Sequence, residues 1–101
     1  MREEEEYVEI DSSLAEEKKL VHVRVEKLES FADAERILNF LRNGEVIFVK
    51  ISELKNKNLQ ELKKAVEKLK KTCVAIEGDL AGVDEDYLLL TPSFARIHRG
   101  K

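Results

Sequence analysis

The sequence predicts a compact α/β domain, a mixed sheet packed on two helices as a two-layer sandwich, in the order β-α-β-α-β-β-β. Three observations carry this. Apolar residues alternate or run unbroken over 20–28 and 46–51, a segment with helical apolar spacing follows each, and three short apolar runs with spacers too short for a helix come last. A chain of 101 residues supports one core and one domain.

Residues 1–19 are dominated by charge (REEEE, then EEKK), bury little surface by themselves and read as a flexible N-terminal tail. The core domain is expected over 20–98. Its first strand is LVHVRVEKL, in which Val21, Val23 and Val25 alternate with His22, Arg24 and Glu26. Ser30 then precedes FADAERILNFLRNG, with its hydroxyl expected to cap a helix and Asp33 to reach back in a variant of the capping box. Phe31, Ala34, Ile37, Leu38 and Leu41 form the buried stripe, and Asn43-Gly44 supplies the left-handed stop. VIFVKI at Val46 to Ile51 reads as a central strand covered on both faces. Asn58, with Glu61 three residues on, opens a second helix whose buried stripe is Leu59, Leu62, Val66 and Leu69. CVAI (Cys73 to Ile76), LAGV (Leu80 to Val83) and YLLL (Tyr87 to Leu90) then read as three antiparallel strands joined by tight turns. FARIH (Phe94 to His98) adds a last edge strand, and 99–101 form a frayed end.

Composition excludes several function classes. A net charge of −3, no Arg-rich patch and 6% aromatic residues give a nucleic-acid partner little support. No apolar run reaches the ~20 residues of a membrane span, and MREEEEYVEI has neither the cationic nor the apolar region of a signal peptide, so the chain is expected to be cytoplasmic. The Lys/Glu excess over a chain with one Cys, one Met and no Trp resembles proteins built for high temperature. The single Cys73 excludes an internal disulfide and, amid TCVAI, reads as a buried core residue.

Candidate chemistry is sparse. Asp84, Glu85 and Asp86, with Asp79 nearby, are hard oxygen donors, but VDEDYLLL lacks the alternating spacing, turn glycine and closing Glu of a calcium loop, and carboxylates in a turn between strands are ordinary turn formers. His22 and His98 have no adjacent acid or nucleophile. The four glycines fall in no phosphate-cradling pattern, and the lysines of the second helix read as a solvated face diluted by Glu61 and Glu67. No catalytic residue, metal site or cofactor is expected. A binding or assembly module is favoured, with a small regulatory metabolite- or ion-binding domain as the alternative.

Phe31-Ala32-Asp33-Ala34, Ile37, Leu41-Arg42-Asn43-Gly44 and Val46-Ile47-Phe48-Val49 come in the same order as in the SepF cell-division family, particularly its archaeal branch. The resemblance rests most on Gly78-Asp79-Leu80-Ala81-Gly82 followed by Leu88-Leu89-Leu90-Thr91-Pro92, which is similar to that family's "GDI…G…TP" close. It implies a homodimer that binds the C-terminal tail of the tubulin-like protein FtsZ and links the division ring to the inner face of the membrane, without catalysis. It further implies a partner-binding or dimer region at Leu80, Gly82, Val83, Leu88 and Leu90, framed by Gly44, Gly78, Asp79, Thr91 and Pro92. Gly82 stands where bacterial relatives commonly carry Lys, and Leu88 where they carry Phe. Relatives usually begin with an amphipathic membrane helix, whereas MREEEEYVEI is acidic, so contact with the membrane is expected to be indirect.

Overall fold

The structure, a computed structural model, describes residues 7–8 and 20–100. The elements are β1 (Tyr7–Val8), β2 (Val23–Lys27), α1 (Asp33–Arg42), β3 (Val46–Lys50), α2 (Ser52–Lys57), α3 (Leu59–Ala75), β4 (Asp79–Val83) and β5 (Tyr87–Thr91). They form a five-stranded mixed sheet in the order β1-β2-β3-β5-β4, with β3 at its centre. β2 and β3 are parallel, as the crossover through α1 requires, while β1 on β2, β5 on β3 and β4 on β5 are antiparallel. β4 therefore runs in the direction of β3 with β5 between them, and the crossover through α2 and α3 spans the width of one inserted strand.

The helices cover one face of the sheet. Ile47 and Val49 of β3 and Leu88 and Leu90 of β5 meet Ala34, Ile37, Leu38 and Leu41 of α1, Leu54 of α2, and Leu62, Ala65, Leu69 and Cys73 of α3 in one buried cluster. This is the two-layer α/β sandwich that the periodicity predicts. β3 lies in the middle of the sheet as expected, but only one of its faces is buried.

Several local expectations are corrected. CVAI is not a strand, because Cys73 falls four residues after Leu69 and eight after Ala65 on the buried stripe of α3, and the helix runs through Ala75 with Ile76 as its C-cap. Packing of that stripe outweighs the β propensity of a four-residue run. The same shift of phase leaves Leu59 exposed and half-buries Val66, in place of the expected full burial of both. Ser52–Lys57, unassigned from sequence, is a short helix that buries Leu54. FARIH forms no strand and follows a turn as an irregular segment. Tyr7 and Val8, in the expected tail, pair with Arg24 and Val23; the remainder of 1–19 lies outside the described residues.

The start of α1 also differs. Asp33 reaches back as predicted, its Oδ2 accepting the N–H groups of Glu29 at 2.9 Å and Ser30 at 3.2 Å, but Ser30 does not cap, and the helix begins at Asp33. Phe31 thus precedes the helix and is exposed, off the buried stripe. The Asn58 cap is as expected, its side-chain oxygen accepting Glu61 N–H at 3.1 Å. So is the stop at Gly44, whose φ of +90° needs no Cβ and whose N–H returns to Leu41 C=O at 2.9 Å.

Gly78 is fixed by a close approach. A Cβ added there would lie 2.2 Å from the carbonyl oxygen of Thr91, backbone that has nowhere to go. The end of α3, the start of β4 and the end of β5 therefore meet at a point that only glycine fits. Gly78→Ala should lower unfolding stability by about 1–3 kcal/mol, the usual range for overpacking, read as a fall in denaturant midpoint at unchanged m-value.

Candidate functional site

Alternation along β3 divides the sheet into two faces. Ile47 and Val49 point into the helical layer, so Val46 and Phe48 point away from it. Register extends the outer face across the sheet, since Val25 pairs with Phe48, Phe48 with Leu89, and Leu89 with Ala81. Val25, Phe48, Leu89 and Ala81 thus make an apolar row crossing four strands. Tyr87 joins it, its ring stacked on Phe48 with centroids 4.6 Å apart and planes 8° from parallel, and Val83 lies opposite Tyr87. Among the described residues no helix covers this face, and Val25 is 59% exposed. A contiguous apolar sheet face of this kind marks an interaction surface.

The charged fringe lies on the helical side. Arg24 reaches Glu45 at 2.6 Å and stands 3.7 Å from the centre of the Phe40 ring, while Arg36 of α1 joins Glu26 at 3.0 Å and Asp33 at 2.8 Å. These pairs close the outer end of the helical layer over β2, where apolar side chains run out.

The residues expected to bind a partner do not form one surface. Leu88 and Leu90 sit in the core, opposite Gly82 and Leu80 across the β4–β5 ladder. Leu80 is half-buried against that core from the edge strand, Gly82 is exposed with open space where a Cβ would stand, and Val83 is on the opposite, open face. The accessible part of that set is therefore the rim of the hairpin, with Leu88 and Leu90 beneath it.

Asp84, Glu85 and Asp86 occupy the β4–β5 turn, where Asp84 takes a positive φ of 62°. The main chain of this turn, and not its carboxylates, makes the contacts. Asp86 C=O accepts Ile51 N–H at 2.8 Å and Glu85 C=O accepts Lys55 Nζ at 2.5 Å. Among the described residues no three potential metal ligands come together. His22 precedes β2 and His98 lies in the irregular C-terminal segment, so neither is on a strand. Burial, with Asp79 nearby, pushes the Cys73 thiol up to about 11, which keeps it protonated and a poor nucleophile.

Asp79, by contrast, is a junction that sequence spacing did not reveal. Its carboxylate accepts the N–H of Leu80 at 2.9 Å, the N–H of Ile97 at 3.0 Å and the guanidinium of Arg99 at 3.1 Å. Arg99 also donates to Leu80 C=O at 2.9 Å, so this residue of the expected frayed end is tied down. Thr91 Oγ1 donates to Ala95 C=O at 2.8 Å and turns the chain back after the buried Pro92. The Gly-Asp and Thr-Pro pairs thus join the hairpin to the segment that follows it.

A two-layer module whose second sheet face is apolar and carries no helix among the described residues, and whose polar network holds a hairpin and strap, belongs structurally with proteins that bind or assemble. The family described as Cell division protein SepF matches residues 12–97, and the chain belongs to it. Among solved structures, it is similar to a SepF-like protein from Archaeoglobus fulgidus, with a TM-score of 0.73 and 24% identity over 78% of this chain and 94% of that one. It is also similar to a SepF-like protein from Pyrococcus furiosus, with a TM-score of 0.63 and 29% identity over 75% of this chain and 94% of that one. No curated protein matches the chain. Among the described residues no helix is long and apolar enough to cross a membrane.

Hydrogen bonds from Arg99, and next the Ile97 N–H, lower the Asp79 carboxyl from 3.8 to about 2. A carboxyl depressed by folding adds stability above its unfolded value and loses it as pH falls through the folded one. Between pH 3.8 and about 2 the strap should therefore loosen. The Ile97 amide proton shift should titrate in that window in NMR spectra, and Asp79→Asn should abolish the titration.

Proposed function

We propose that the chain is a non-enzymatic cell-division adaptor, a homodimer that binds the C-terminal tail of FtsZ and helps to organise or tether the division ring at the membrane. The open apolar sheet face, in a chain of the SepF family, is the observation that carries this reading. Burying Val25, Phe48, Leu89 and Tyr87 against the same row of a second copy removes apolar surface from water on both molecules and places the two hairpins, with Gly82 and Val83, beside the shared interface. Polymerisation and the route to the membrane are separate questions, since the acidic residues 3–6 offer no charge attraction to an anionic lipid surface.

Two measurements test the proposal. Sedimentation should give a dimer, and Val25→Glu, which places a charge in the row at a residue exposed in the single chain, should weaken it by about 30-fold or more with far-UV circular dichroism unchanged. Calorimetric titration with a synthetic FtsZ tail peptide from the same source should show saturable heat. A monomer at all concentrations, or no heat at high peptide concentration, refutes the corresponding half of the proposal.

A further inference from the structure

Among the described residues β4 is an edge strand, paired by β5 along one side only. Both main-chain groups of Leu80 are taken by side chains, its N–H by Asp79 Oδ1 at 2.9 Å and its C=O by Arg99 Nη2 at 2.9 Å. They therefore lie on the outer edge, away from β5, and the two-residue repeat of a strand places the N–H and C=O of Gly82 on that same edge. The segment after Pro92 runs back alongside this edge. Thr91 holds Ala95, the Asp79 carboxylate holds Ile97 N–H at 3.0 Å, and Arg99 spans Asp79, Leu80 and its own neighbour Ile97. An irregular stretch of this chain is thus already seated beside the start of β4, yet it is fastened by two side chains and makes no ladder. Gly82 is exposed, and nothing lies within 4 Å of where its Cβ would stand.

We infer that the outer edge of β4 from Leu80 to Gly82 is a strand-addition site for an extended peptide, and that the Asp79–Arg99 clasp is its guard. The inference rests on the proposed capture of the FtsZ tail and specifies how that tail is held. An unguarded edge presents N–H and C=O groups to any extended chain, and charged side chains are a usual means of blunting it. Here the guard is the Asp79 carboxylate on the Leu80 N–H and the Arg99 guanidinium on its C=O, with Arg99 itself half in solvent. An incoming peptide replaces both contacts with main-chain hydrogen bonds at Leu80 and continues along Gly82, while the half-buried Leu80 and the rim residue Val83 flank it on opposite faces.

Titrating the synthetic FtsZ tail into wild type and Arg99→Gln, and an alternately N-methylated version of the same peptide into wild type, tests this. Arg99→Gln should bind about 2–5-fold tighter, the competition expected of one exposed ion pair. The N-methylated peptide, with the same side chains but without alternate N–H donors, should bind about tenfold weaker or worse. Equal binding of the N-methylated peptide, or no gain for Arg99→Gln, overturns strand addition and leaves tail capture standing. Absence of binding by the unmodified peptide overturns both. Matching amide dispersion of Arg99→Gln and wild type establishes that the fold is intact.

Discussion

The dominant constraint on this molecule is that its sheet has two apolar faces and that, among the described residues, helices cover only one of them. α1 and α3, with the short α2 between, are fully used in covering Ile47, Val49, Leu88 and Leu90. The other face is nevertheless apolar from Val25 through Phe48 to Leu89 and Ala81. In the proposed dimer a second copy buries that face, so the hydrophobic effect that organises the core also drives the association.

The second structural centre is where α3 ends. Glu77 takes a positive φ of 63°, Gly78 N–H closes on Cys73 C=O, and Gly78 passes against the Thr91 carbonyl. Asp79 then binds forward to Leu80 and across to Ile97 and Arg99. Four residues that resemble a family signature are thus explained by local mechanics: Gly78 admits the backbone, Asp79 collects the strap, Thr91 starts its return, and Pro92 is buried at the bend. The acidic triplet nearby has no such part, since its backbone carbonyls hold the turn while its side chains face water.

How much of this was legible depended on whether a signal was periodic. β2, α1 and the body of α3 repeat for long enough to declare their type, and the β4–β5 hairpin is forced by its short spacer. CVAI is only four residues, and at that length an apolar run in a strand and one in the last turn of a helix look alike. Ser52–Lys57 was missed because it buries only Leu54 and leaves no stripe. Val46 to Ile51 reads as buried on both faces because composition alone does not tell a strand covered on both faces from one covered on a single face. The clasp was invisible for another reason, that Asp79 and Arg99 are 20 residues apart and no local pattern links them. Leu88 and Leu90 were assigned to the partner surface along with Leu80, Gly82 and Val83 because a motif marks a stretch of chain, whereas strand alternation decides which of its residues face outward.

Strand order also has a consequence for how the molecule is made. β5 is the last strand to be synthesised, yet it lies between β3 and β4, pairing Leu90 with Ile47 on one side and with Leu80 on the other. While the chain emerges from the ribosome, β2, α1 and β3 can assemble early, but the free side of β3 stays unfilled until Thr91 is clear of the exit tunnel. The hairpin must then enter as a unit, because β4 has no partner in the sheet except β5. The nascent protein therefore carries an open sheet edge at its centre until the hairpin is made.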